Sequence, residues 1–451
     1  MLNRAIYKER NTVTSFLDVQ INVSSVFQYF LIYLMLLIPG SCLFAKYFLG
    51  DWKYYVLLVF YAALFVSGKK YREGYAPVFA LLLLVFVVVT RLITDGGAGL
   101  SAWMQFAVCL ASVHFAVCCN RRMFLTRFVK LVCVFSVISL VFWLLFLVFP
   151  QLADIYPAQT YFTQSIGSDP AWAKDYYGKG LFLYSYLEIH PTRNCGIYTE
   201  PGVHQIVLNS ALFVMLFWGH KLTGLTGRKY FWRLAVLVFT VLSCQSTAGY
   251  IGFLLIVVFF MFSRRVRSKG RYAAKAKRAL AMLLCLAVIV LLLEYQVNGA
   301  ESILNKQIVE KFFAGTDGVS LMEGSGQYRV GTILLSVRSV IEHPLGVGYD
   351  RFIGLTNRAE TGFVAASVMS FAAVYGVIPW IVMLAMVFVP VIRYESRTVA
   401  LLFMLLFLNT TLAQTDLLYP ALMMVPVYLE ATRPRGKFVR GGAPCKHRSL
   451  Y

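Results

Sequence analysis

Charged residues are scarce in this chain: they make up 14% of its 451 residues, whereas average chains carry about 25%. Hydrophobic residues account for 59% and aromatic residues for 16%, which excludes a soluble globular domain. The apolar segments recur at intervals, and most approach the roughly 20 residues that a helix needs to cross a bilayer. Strands of a membrane barrel would be about half as long and would alternate in polarity. We therefore predict an all-α integral membrane protein.

Several chemical signatures are missing as well. The nine cysteines form no Cys-x-x-Cys pair and mostly lie inside apolar segments, so we expect neither a disulfide framework nor a metal site. The chain has no P-loop, no Rossmann fingerprint and no Asp-x-Asp near a sheet pattern, which disfavours a nucleotide-sugar donor used in the cytoplasm. The N-terminus has no short apolar stretch with a cleavage site, so the first spanning helix is expected to direct insertion. No cofactor is predicted.

The basic residues give the chain a net charge of +21, but their placement argues against nucleic acid as a partner. They fall mainly in short loops between apolar segments, as expected for cytoplasmic loops of a multi-pass membrane protein. The most basic loop, from Arg264 to Arg278, is expected to anchor the topology against anionic lipid. With these loops inside, both termini are cytoplasmic and most acidic residues lie on the outer face.

This topology predicts one polytopic membrane domain over residues 1–451, a helical bundle of about twelve transmembrane helices. A single helix over residues 234–262 would leave polar residues from Ser243 to Gly249 at the bilayer centre, so two shorter helices are expected there. The segment 362–392 breaks at Gly376, and its first half should lie at or dip into the outer interface. The predicted spans are about 26–45, 54–67, 76–92, 100–119, 131–149, 203–218, two within 234–262, 279–293, the second half of 362–392, 399–413 and 417–429.

Two long polar loops, residues 150–202 and 294–361, lie outside in this topology and are the only stretches with enough polar material for a site. In the first, Arg193 and Glu200 lie at the hydrocarbon boundary, where an unpaired charge is costly and usually functional. A guanidinium fork suits phosphate oxygens, and a carboxylate at such a boundary can act as a base. The alternative is that the two residues pair and only shape the loop.

In the second loop, apolar residues recur at three- and four-residue steps from Val330 to Ile341, which predicts an amphipathic helix. Arg329 lies at its start and Arg338 near its end, and the helix stops at His343-Pro344 before a turn containing Gly346 and Gly348. The two arginines are either a solvated polar face or part of a site. The glycines alone indicate only a turn, because a lone Gly-x-Gly is a weak signal.

Three motifs occur in this order on the outer face: Arg193 with Gly-Ile-Tyr and then Glu-Pro-Gly at a helix entry, the turn Ser246-Thr-Ala-Gly249, and the arrangement of arginine, helix and His-Pro-Leu-Gly-Val-Gly. Together they resemble the bacterial O-antigen polymerase and O-antigen ligase superfamily, over roughly residues 193–379. Ligases of the family carry a His-Asn pair just after the large outer loop. This chain has no histidine at residues 361–366, which favours the polymerase branch.

The resemblance implies a glycosyltransferase of the bacterial inner membrane that works on its periplasmic face, independently of metal and nucleotide. It would transfer a growing surface glycan (O-antigen, other lipopolysaccharide or exopolysaccharide) from undecaprenyl pyrophosphate to the next lipid-linked repeat unit. Its partners would be this lipid-linked substrate, the bilayer, a flippase and a chain-length regulator. The open alternatives are a ligase that delivers glycan to the lipid A core, and a flippase or transporter for polysaccharide precursors.

The expected roles follow from that reaction. Arginines would neutralise charge that develops on the pyrophosphate, and Glu200 would activate the acceptor hydroxyl. His190, His204 and His343 show no metal-ligand spacing, so a metal is not expected, and lone histidines are more often packing residues. The predicted catalytic residues are Arg193, Glu200, Arg329 and Arg338, and the predicted substrate-binding residues are Tyr198, His204, His343, Ser246 and Thr247.

Overall fold

The computed structural model describes residues 23–44, 52–72, 100–164, 174–225, 227–263, 292–299, 324–359, 366–414 and 418–432, together with short stretches within 77–88 and 278–289. The described chain is mostly helical, with one small sheet. Its main elements are α1 Val23–Leu37, α2 Trp52–Ser67, α3 Leu100–Cys119, α4 Phe124–Val148, α5 Leu152–Ile155, β1 Gln159–Gln164, β2 Lys174–Lys179, β3 Tyr186–Leu187, α6 Pro201–Trp218, α7 Arg228–Cys244, α8 Thr247–Phe262, α9 Gly324–Glu342, α10 Tyr349–Arg358, α11 Ser367–Tyr375, α12 Val377–Tyr394, α13 Arg397–Ala413 and α14 Pro420–Ala431.

Three of the described helices are long and apolar enough to cross a membrane: α4, α6 with the short turn that follows it, and α12. Helix α6 is buried along its whole length and packs against α7, α8, α4 and α14. Helix α4 instead exposes an apolar face that includes Val134, Val141 and Leu144. A helix with such a face needs an apolar solvent, so these features are those of a membrane protein.

Several predicted spans coincide with helices. Helices α2, α3 and α6 match their predicted ranges closely, and the segment 234–262 is divided into α7 and α8 at Gln245, as the polar residues there predicted. Gln245 has a left-handed backbone, which turns the chain back sharply. Most of the predicted spans 76–92 and 279–293 lies outside the described residues, so the total of about twelve spans stays a prediction.

Two span boundaries differ from the prediction. Helix α1 ends at Leu37 rather than continuing to residue 45, because the chain turns at Gly40, whose φ is +97°. Helix α4 begins at Phe124, seven residues earlier than predicted. Its added turn includes Arg127, which is buried and donates hydrogen bonds to Gln28 and Ser25. The charge expected in a cytoplasmic loop is therefore paired inside the bundle.

The segment 362–392 breaks at Gly376, as predicted, and separates α11 from α12. The break is held by the turn after α9: the N–H groups of Val347 and Gly348 donate to the carbonyls of Ala373 and Val374, and the N–H of Val377 donates to Pro344. A Cβ at Gly346 would lie 2.8 Å from the backbone nitrogen of Gly376. A side chain at position 346 would therefore push the turn away from the break. We call these backbone contacts the backbone clamp. Gly346 and Gly348 thus allow the turn after α9 to pack against the break between α11 and α12.

The first outer loop contains a feature that the all-α prediction omitted, a three-stranded antiparallel sheet in the order β1-β2-β3. Gln159 pairs with Lys179 and Gln164 with Lys174 in the first pairing, and Gly178 pairs with Leu187 in the second. The sequence of β1, Gln-Thr-Tyr-Phe-Thr-Gln, is rich in aromatic and β-branched residues, which favour strands. The described fold is therefore a set of packed helices with a small three-stranded sheet, and the placement of the sheet outside the membrane stays a prediction.

Candidate functional site

The stretch Thr192–Gly196, which we call the polar finger, is inserted between α4 and α7. The Trp143 indole donates to the carbonyl of Thr192 at 2.9 Å. The Asn194 amide donates to the hydroxyls of Ser139 at 3.2 Å and Ser243 at 2.9 Å. Ser139 lies nine residues before the end of α4, which corresponds to about 13 Å along the helix axis. The polar finger therefore reaches well below the C-terminal end of a helix that is long enough to span the membrane.

Arg193 is carried by the polar finger and is half-buried. The backbone N–H of its neighbour Asn194 also donates a hydrogen bond to the carbonyl of Ser243 at 3.0 Å. The Gln245 amide donates to Thr192 at 3.5 Å, which places Arg193 beside the turn between α7 and α8. That Arg193 and Glu200 pair with each other and only shape the loop stays a prediction.

Glu200 lies at the start of α6, with an extended backbone and Pro201 as the first helical residue. Arg329, in the first turns of α9, is its electrostatic neighbour: burial lowers the pKa of the Arg329 guanidinium and the Glu200 carboxylate raises it. At Cys195, burial raises the thiol pKa most, while Arg193 lowers it and Glu200 raises it. Glu200 is thus within electrostatic range of Arg329, and Arg193 and Glu200 both act on Cys195, although these residues lie up to 136 positions apart in the sequence.

Two helices begin at this place, α6 at Pro201 and α8 at Thr247. Their N-cap residues, Glu200 and Ser246, form no capping hydrogen bond through the side chain, and each helix start carries the positive end of its dipole. A Cβ at Gly202 would lie 2.4 Å from the amide nitrogen of Gln414 and 3.7 Å from the Ser246 hydroxyl, so the two helix starts and α13 approach one another here. Arginines together with two uncapped helix starts form a site that suits an anion.

A layer of buried amides lies beneath the two helix starts. The side-chain nitrogen of Gln205 donates to Val241 O, that of Asn209 to Gly249 O, and that of Asn409 to Ala248 O, all at 2.8–2.9 Å. These bonds join α6, α7, α8 and α13 across positions where glycines allow close approach. Sequence reasoning missed the layer, although Gln205 and Asn209 are four residues apart in an apolar run and so lie on one helix face.

Two predicted substrate-binding residues are buried behind the polar finger. Tyr198 and His204 are 2% and 3% exposed. The Nδ1 atom of His204 lies 3.4 Å from the carbonyl of Asn194 and 3.5 Å from the Cys244 sulfur, and Gly196 packs on the imidazole ring. In this position His204 supports the polar finger from behind, which is a positioning role, and direct contact with substrate stays a prediction for both residues.

The remaining predicted residues divide into two groups. Ser246 and Thr247 lie at the start of α8 and are half-buried, beside the charged cluster. Arg338 lies nine residues after Arg329, which places it on the opposite face of α9. It is exposed and forms an ion pair with Glu342 at 2.8 Å, and His343 follows at the end of the helix. The structure therefore does not bring Arg338 and His343 to the other charged residues.

The described residues contain no group of three or more His, Cys, Asp and Glu side chains arranged to hold a metal ion. Comparisons of the chain with protein-family models, with curated proteins and with solved structures find no match. The function must therefore be inferred from the chemistry of the site and from the motifs of the sequence.

Proposed function

We propose that the protein is a bacterial inner-membrane polysaccharide polymerase, which transfers a growing glycan from undecaprenyl pyrophosphate to the next lipid-linked repeat unit on the periplasmic face. The observation that carries the proposal is the position of Arg193. It lies on a polar finger that reaches about 13 Å below the outer end of α4, next to two uncapped helix starts. A half-buried cation beside fixed positive dipoles favours an anionic ligand.

The depth of the site supports a donor that is itself anchored in the bilayer. A pyrophosphate attached to a polyprenyl chain lies near the headgroup boundary, so it can reach a site that lies beneath the membrane surface. A water-soluble nucleotide sugar has no such constraint. The predicted topology of about twelve spans with both termini in the cytoplasm would place this site on the periplasmic side, where a flippase delivers such donors and a chain-length regulator would act.

The proposed reaction needs no metal or nucleotide. The bond between the donor sugar's anomeric carbon and the carrier phosphate breaks, and an acceptor hydroxyl forms the new glycosidic bond to that carbon. The pyrophosphate leaves with the electron pair, and Arg193, Arg329 and the starts of α6 and α8 stabilise its charge. Glu200 accepts the proton of the acceptor hydroxyl. Arg329 is the electrostatic neighbour of this carboxylate, so the base and one of the groups that stabilise the pyrophosphate would act side by side.

The test replaces Arg193 and Arg329 separately by Ala and by Lys, with Arg338→Ala as the control from the same helix. Glycan chain length on a gel and the amount of protein in the membrane are measured together. Loss of one preorganised electrostatic group costs about 100- to 1000-fold in rate, so both Ala variants should give single repeat units at normal abundance. Lys should restore activity partly, because it keeps the charge without the planar fork.

Two results would contradict the proposal. Full-length glycans from the Arg193→Ala variant would show that the guanidinium is not needed for transfer. Loss of protein from the membrane with either Arg193→Ala or Glu200→Ala, and its recovery in the double variant, would indicate a structural pair instead. The same gel separates the alternatives, because deletion of a ligase removes all glycan from the lipid A core, whereas deletion of a polymerase leaves one repeat unit on it.

A further inference from the structure

Between β2 and β3 the chain turns at three apolar residues, Leu181–Leu183, which we call the apolar turn. Its three side chains are between 42% and 50% exposed. No charged residue occurs from Gly180 to Leu187, whereas charges flank the segment: Lys179 forms ion pairs with Glu188 at 3.6 Å and with Asp154 at 3.8 Å. Polar and apolar surfaces of the loop are therefore separated over a few residues, as in segments that lie in a membrane interface.

The contacts of the apolar turn place it beside the outer halves of two helices. The Tyr33 hydroxyl on α1 donates to the carbonyl of Phe182 at 3.1 Å, and Tyr33 lies four residues before the end of α1. Tyr184, the next residue after the turn, stacks on Phe142 of α4 with ring centroids 5.5 Å apart. Phe142 lies six residues before the end of α4, about 9 Å along its axis. The turn is therefore level with the body of both helices.

The apolar turn lies beside a helix that exposes an apolar face of its own. That face of α4 includes Val141, Leu144, Leu145 and Val148, each at least 40% exposed. Three tyrosines of the same loop, Tyr156, Tyr184 and Tyr186, pack on Phe146 of this helix, and these contacts hold the loop against α4. Because α4 is long and apolar enough to cross a membrane, exposed apolar side chains held beside it indicate lipid, rather than another protein, as the occupant.

We propose that Leu181–Leu183 inserts into the outer leaflet of the bilayer and contacts lipid acyl chains. The insertion anchors the three-stranded sheet to the membrane surface. It also acts on the site, because the N–H of Ser185 donates to the carbonyl of Gly196 at 2.6 Å, at the end of the polar finger. The proposal depends on α4 as a spanning helix and not on the reaction assigned to the protein.

The test introduces the photoreactive residue p-benzoylphenylalanine in place of Phe182, in the full chain reconstituted into vesicles of phosphatidylethanolamine and phosphatidylglycerol. Val141 on the exposed face of α4 is the positive control. Tyr161, which is exposed on β1, is the contrast position. After irradiation, lipid adducts are measured by mass spectrometry. Position 182 should give adducts at a yield close to that of position 141 and about tenfold above that of position 161, since only inserted side chains contact acyl chains.

A yield at position 182 no higher than at position 161 would overturn the proposal, provided that position 141 is labelled. A second variant carries the same photoreactive residue in place of Leu183 and controls for a local effect at position 182. Failure of both positions to label lipid would likewise overturn the proposal. Folding of each variant is checked by its elution as a single species in detergent. Phe182→Asp provides an independent measurement: it should slow extension of the glycan if the reaction proposed above holds, and it should reduce lipid labelling at position 183 whether or not that reaction is correct.

Discussion

The amide layer beneath the site makes a quantitative prediction for Gly249→Ala. A Cβ at position 249 would lie 2.6 Å from the Cβ of Gln205 and closer still to its carboxamide. Gln205 is fully buried, so its side chain cannot swing into solvent. The substitution must break the bond from Gln205 to Val241 O, at 2.9 Å, and spread α6 from α8. Overpacking costs about 1–3 kcal/mol, and an unsatisfied buried carbonyl costs about 1–3 kcal/mol more.

The expected loss is thus about 2–6 kcal/mol of stability, towards the lower end if the bundle relaxes as membrane helices often do. The assay is the melting temperature of the purified protein in detergent, followed by size-exclusion chromatography after heating. Gly354→Ala is the matched control: position 354 is helical and has open space around it, so alanine should stabilise α10 by about 0.5–1 kcal/mol through helix propensity.

A double variant tests the cause. Gln205→Ala removes both the clash and the hydrogen bond. As a single variant it should lower stability, but when it is combined with Gly249→Ala it should restore part of the stability that Gly249→Ala loses. An unchanged melting temperature for Gly249→Ala would refute the close packing of α6 on α8. Equal destabilisation by Gly249→Ala and Gly354→Ala would refute it too, because any loss would then be a general effect of added bulk.

Two further predictions concern the polar finger and α9. Asn194→Ala removes the hydrogen bonds to Ser139 and Ser243, so it should lower the melting temperature and also shorten the glycan, whereas a purely structural effect would lower protein abundance without changing the chain length made per molecule. Arg338→Ala should leave both readouts near normal, but it should raise the pKa of the Glu342 carboxyl, which Arg338 holds below its ordinary value. Because the folded pKa of Glu342 is depressed, the contribution of this ion pair to the free energy of unfolding is present above the unfolded pKa and is lost as the pH falls through the folded value. NMR titration of the glutamate carboxyls in isotope-labelled protein checks the shift.

Hydropathy and polar breaks predicted much of the helical arrangement. The division of residues 234–262 at Gln245 followed from the cost of polar groups in hydrocarbon, and the break at Gly376 followed from the glycine and the proline three residues later. The amphipathic helix α9 followed from its apolar period. These features are local in sequence, so the residues themselves carry the information.

The features that could not be predicted depend on distant contacts. The approach of Arg329 to Glu200 requires the path of the whole second loop, and the amide layer requires the packing of α6, α8 and α13. The pairing of strands in the first loop also joins positions up to 20 residues apart. Arg338 was grouped with Arg329 because both are arginines of one helix, but a nine-residue separation places them on opposite faces. A helical-wheel argument would have separated them.

The backbone clamp between the turn after α9 and the break at Gly376 fixes one end of α9, so a small rotation there moves the other end by a larger distance. The clamp holds the end of the helix at Glu342 and His343, while Arg329 lies thirteen residues away, about 20 Å along the axis. A tilt of about 10° at the clamp would therefore displace the guanidinium by about 3 Å, which is the difference between a hydrogen bond and an open gap. The buried face of α9 carries small residues, Thr332, Ser336 and Ser339. Their short side chains offer a smooth surface for such a movement. In the proposed polymerase, the same helix would make room for a bulky glycan at one end without loosening its attachment at the other.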